Sequence, residues 1–84
     1  MSRWDHHLNI KDVFYNEGLS FKQRRDEIVR RIRAARWYRD YDGYFLLSDI
    51  VDRLAEAEDA DDFDDAWDEF YDFADTERVW VATQ

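Results

Sequence analysis

Three stretches of this chain repeat apolar residues at the three-to-four-residue interval of an α-helix, so each carries a stripe that must be buried against another. The first holds Phe21, Ile28, Val29, Ile32 and Ala35, the second Leu47, Ile50, Val51 and Leu54, and the third Phe63, Ala66, Trp67, Phe70 and Ala74. With no proline and two glycines in 84 residues, little in the chain argues for a linker or a second domain. The expected fold class is all-α, a compact bundle of three principal helices in a single domain spanning 1–84. Four Trp, five Tyr and six Phe supply the bulk such a small core requires.

Local signals place the helix ends. Ser20 with Gln23 three residues on has the spacing of a capping box, which starts the first principal helix. Ahead of it, Ile10, Val13 and Phe14 suit a short helix over Asn9–Glu17, with Asn9 as a candidate cap and Gly18 as its stop. Asp42 and Gly43 offer a turn, after which the second helix begins between Tyr44 and Ser48. Phe45 and Leu46 can join the core from its first turn; a strand at YFLL competes, but the later periodicity favours helix. Asp61 or Asp62 is the expected cap of the third. The terminal RVWVATQ switches to a period of two and reads as an extended segment anchored by Trp80, unless it pairs with the amino-terminal segment or with a second copy. Residues 1–8, including His6 and His7, show no period and are expected to be loosely ordered.

The outward charges are sorted into blocks. Lys22 to Arg39 carries eight basic and two acidic residues, a formal +6, whereas Asp40 to Glu77 carries sixteen acidic residues against Arg53, a formal −15. The net charge of −9 opposes direct binding to nucleic acid or anionic lipid. No apolar run is long enough to span a membrane, no export pattern is evident, and the expected location is the cytoplasm. The absence of cysteine removes disulfide and thiol chemistry.

Two candidate contact surfaces follow. Taking about 100° per residue from Phe21, Ile28, Val29, Ile32 and Ala35 fall at about −20°, 80°, 20° and −40°. Arg24, Arg31 and Arg36 lie at or beyond the edges of that stripe, where their stems can cover apolar surface. Arg30, Arg33 and Trp37 gather on the reverse side of an unbroken helix, and form the first candidate patch; a bend near Ala34 would make Trp37 core instead. The second is an acidic stripe on the third helix, Asp61, Asp64, Asp65, Asp68, Asp72 and Asp75, able to imitate nucleic-acid phosphate before a basic protein. The plainer reading is that these acids only solvate an aromatic-rich helix. Opposite faces also suit a homodimer.

Catalysis finds no support. Ser20 and Ser48 lack a base with an orienting partner, no glycine-rich phosphate cradle exists, and the carboxylates share one wet environment. Asp59, Asp61, Asp62 and Asp64 fail as a calcium loop because Phe63 takes a ligand position and the central glycine is missing. The adjacent His6 and His7 lack zinc-site spacing. No cofactor and no metal is expected. The wording from VFYNEGLSFKQRRDEIVRRIRAARWYR through FDDAWDEFYDFADTERVW resembles small accessory proteins encoded by phages of actinobacteria. That resemblance implies expression in a bacterial host and modulation of a host or phage protein, and it brings no site residues. The sequence thus points to a non-enzymatic protein-interaction module, an inhibitor or adaptor, with a DNA mimic as the alternative, a structural domain without a dedicated partner surface as another, and a protein as the expected partner.

Overall fold

The computed structural model describes residues 4–40 and 44–83, with seven elements in the order β1 (His6–Asn9), α1 (Lys11–Phe14), α2 (Phe21–Ala34), α3 (Arg36–Asp40), α4 (Tyr44–Glu56), α5 (Ala60–Thr76) and β2 (Val79–Ala82). The Asp42–Gly43 turn and residues 1–3 lie outside the described residues. The protein is mostly helical, but it is neither strictly all-α nor a three-helix bundle, because β1 and β2 pair as a small parallel sheet.

The apolar stripes meet as their spacing requires. Ile28, Val29 and Ile32 of α2, Leu47, Ile50, Val51 and Leu54 of α4, and Phe63, Ala66, Trp67, Phe70 and Ala74 of α5 are all buried. Phe70 is wholly enclosed, and Trp67 lies between it and Phe63, with ring centroids 5.2 and 5.8 Å away. The capping box forms: Ser20 Oγ accepts from the Gln23 amide at 3.1 Å while Gln23 Oε1 accepts from the Ser20 amide at 2.9 Å. Two of the four orphan donors at the start of an α-helix are the kind this exchange satisfies.

Other boundaries differ from expectation. Asp59, not Asp61 or Asp62, caps α5, accepting from the Asp62 amide at 2.9 Å. The short helix α1 ends at Phe14, well before Gly18, and Asn9 accepts from the Lys11 amide at 3.3 Å without acting as its cap. Phe45 and Leu46 do not join the core; they are 89% and 61% exposed.

The largest correction is at Trp37. Instead of continuing to Trp37, α2 stops at Ala34, and Ala35 is extended at φ −68° and ψ 135°. The chain then restarts as α3 with a new rotation, which buries Trp37 to 8% exposure against Tyr38 and Phe70. Hiding a large indole removes ~150–250 Å² from water, worth about 4–6 kcal/mol at 25 cal/mol/Å². That exceeds the one or two helical hydrogen bonds lost at the break, each worth about 1 kcal/mol net.

The segments β1 and β2 order each other. His6, His7, Leu8 and Asn9 stand opposite Val79, Trp80, Val81 and Ala82 in parallel register. Residues 6–8 are therefore strand, not loose chain. All five helices form the crossover that a parallel pair needs. Leu8, Val79 and Val81 face the core, and Trp80 turns outward beside Trp4, so the valines hold the carboxyl-terminal segment down. Arg78 makes the junction with α5 at φ 61°, the left-handed conformation common just past a helix end. Its carbonyl accepts from the amides of Asp5 and His6, opening the ladder.

Candidate functional site

The basic candidate patch comes apart in three dimensions. Arg30 and Arg33 share a shallow groove between α2 and α4, whereas Trp37 is in the core. The exposed Arg30 guanidinium is a two-point partner of Glu27, and the Arg33 Nη2 lies 2.9 Å from Asp52 Oδ1. Glu27 also receives Arg31 Nε at 3.1 Å. Hydrogen bonds from Arg30 and then Arg31 hold its carboxyl at about 2, well below the usual 4.5. Arg31 in turn reaches Asp12 at 2.5 and 2.9 Å, which lowers the Asp12 carboxyl and raises the Arg31 guanidinium. Arg36 pairs with Asp40 at 3.4 Å. The positive block is thus largely answered inside the molecule.

The acidic stripe is assembled and unanswered. Turning about 100° per residue from Phe63, its six acids lie within an arc of roughly 100° centred opposite the core. Asp61, Asp64, Asp65, Asp68, Asp72 and Asp75 are all exposed, and none has a cationic partner among the described residues. Glu69 lies off this arc, toward α4, and pairs with Arg53. The last turn of α5 contains no basic residue, so Asp75 opposes the helix dipole without compensation. Tyr71 borders the arc and is 48% exposed, an aromatic surface beside the charges.

Arg25 is a structural position that sequence reasoning passed over. Its side chain is 14% exposed, and Nη1 donates to the Ala57 carbonyl at 2.7 Å, closing the carboxyl end of α4. Its place inside the α2 apolar stripe was the available signal: a charged residue on a buried face needs a polar partner. Among the described residues there is no group of three or more His, Cys, Asp or Glu that could hold a metal ion. Nor is any helix among them long and apolar enough to cross a membrane. Compared with protein-family models, curated proteins and solved structures, the chain matches none.

Proposed function

We propose that the protein is a non-enzymatic binding module whose acidic α5 face docks onto a basic surface of a partner protein. The observation that carries this reading is the asymmetry of neutralisation: Arg30 and Arg33 are paired internally, while six exposed carboxylates on α5 have no cation among the described residues. Charges left uncompensated, including Asp75 against the dipole, raise encounter rate and select for a cationic partner.

The kind of basic surface follows from spacing. From Asp61 to Asp75 the helix rises about 21 Å, so the six acids fall one per ~4 Å of axis. One strand of duplex DNA presents a charge every ~3.4 Å. A surface built to hold a phosphate backbone therefore fits this face, and inhibition by DNA mimicry is the form of the function we favour. Tyr71 at the border would supply the desolvated contact that charge alone does not. The resemblance to actinobacterial phage proteins supports a partner in a bacterial cytoplasm, where the module would act as inhibitor or adaptor.

Affinity capture from such a host tests the reading. The wild-type protein should retain a basic protein that the folded Asp68→Lys/Asp72→Lys variant does not. Equal capture by both would remove the acidic face from consideration. Loss only with Arg30→Glu/Arg33→Glu would move the surface to α2.

A further inference from the structure

We infer that the protein also self-associates head to tail, the exposed Phe45 ring of one copy entering an aromatic cavity at the opposite end of α4 in the next. The cavity, about 200 Å³, lies among α1 and the first turns of α2 and α5, and is walled by Phe14, Tyr15, Phe21, Ile28 and Phe63. A dry apolar cavity of ~150 Å³ already accepts a benzene ring, so this one admits a phenylalanine side chain. Phe21 and Phe63 meet edge to face at 6.0 Å, and Phe14 lies 5.1 Å from Trp67, which braces the walls through the core.

Charge specifies what accompanies the ring. Arg24 stands on the cavity wall, and its side chain has no hydrogen bond or ion pair among the described residues. Its neighbour Arg25 is already committed to the Ala57 carbonyl. The occupant should thus pair an aromatic ring with a nearby carboxylate. The first turn of α4 presents that combination: Phe45 is 89% exposed, and Asp49, one turn on, is 72% exposed on the same helical face. Leu46, 61% exposed, adds apolar surface at the lip. Among the described residues, Asp49 is held by an exposed contact to Arg53 at 3.7 Å, which is readily exchanged. Asp64 on the α5 side of the mouth repels a second carboxylate, so the entering Asp49 must face Arg24.

The separation of knob and hole bears on the symmetry. Ala57, next to the cavity through Arg25, is twelve residues beyond Phe45, or about 18 Å along the helix. Knob and hole are therefore different patches; engaged one at a time, the contact is heterologous and repeats along an open chain, whereas reciprocal insertion would close a two-fold dimer. With one ring inserted per contact, the interface is small and the association weak.

Sedimentation equilibrium of the full chain up to about 1 mM reads this directly. The weight-average mass of the wild type should rise steadily past that of a dimer. Phe45→Asp, with Phe45→Ser as the second knob variant, and Arg24→Glu should each remain monomeric with unchanged circular dichroism. Asp49→Arg/Arg24→Glu, whose charges are exchanged, should grow on its own, and labelled Phe45→Asp, which keeps the Arg24 hole, should sediment as a monomer when mixed with it. A wild type that stays monomeric, or stops at dimer, overturns the inference, as does growth that survives both knob variants.

Discussion

Replacing Trp37 by alanine separates a core residue from a surface contact. The indole is 8% exposed, packed against Tyr38 and Phe70 at centroid distances of 6.5 and 6.4 Å. Truncating a buried aromatic to alanine costs about 3–5 kcal/mol, transfer and cavity terms together. At ~0.05–0.15 kcal/mol per residue, a chain of this size has only about 4–13 kcal/mol in total. Trp37→Ala should therefore lose about a quarter or more of the stability, lowering Tm by at least about 12 °C at the ~4–8 °C per kcal/mol of small domains. Phenylalanine should behave differently. The Trp37 Nε1 is buried without a hydrogen-bond partner among the described residues, a defect worth about 1–3 kcal/mol. Trp37→Phe removes that donor while surrendering part of the ring volume, and the two effects offset to within about 1–2 kcal/mol. Urea denaturation followed by far-UV circular dichroism measures both. A Trp37→Ala protein within ~0.5 kcal/mol of wild type, the range of surface substitutions, would refute the burial argument.

Arg25→Met keeps the aliphatic stem and deletes the bond to the Ala57 carbonyl, so it should cost about 1.5–3 kcal/mol, whereas Arg30→Met, at an exposed pair, should leave the midpoint of the same denaturation assay nearly unchanged. Asp75→Lys should stabilise by about 0.3–1 kcal/mol by reversing a charge that opposes the α5 dipole, read as a higher Tm; a fall would contradict the electrostatic account. Glu27 has its carboxyl lowered to about 2 from 4.5, so the stability it contributes is complete above pH 4.5 and lost as pH falls toward 2. Asp12, lowered through Arg31, acts in the same direction. Arg31→Met should accordingly flatten the acid limb of a pH–stability curve, and an unchanged limb would exclude these pairs as its cause.

The parts of this fold that were legible in the sequence are those written in local period. The stripes of α4 and α5 and the Ser20–Gln23 box each lie within one element, and their chemistry is distinctive. The break at Ala35 has no such mark, since alanine is the best helix former and neither glycine nor proline is near. Only the gain from burying Trp37 reveals it, and that depends on where Phe70 lies. The sheet was only partly legible: the period of two marks β2, and its pairing with the amino-terminal segment stayed one of several alternatives because β1 and β2 are four residues each and pair across more than seventy residues of chain. Asp59, Asp61 and Asp62 offer equivalent cap chemistry, so tertiary packing chooses among them. On the surface, the acidic stripe was visible from spacing alone. That Arg33 is answered by Asp52 was not, because Asp52 arrives from another helix, whereas Glu27 sits three residues from Arg30 on the same one.

The central claim is that the α5 carboxylates occupy a surface that otherwise holds a phosphate backbone. Titrating duplex DNA against the captured complex, at several salt concentrations, tests it most directly. The account predicts that DNA releases the partner from the wild-type protein, that affinity falls steeply with salt, and that Asp68→Lys/Asp72→Lys abolishes capture while leaving the fold intact. A partner that remains bound under saturating DNA, with salt-independent affinity, would contradict it.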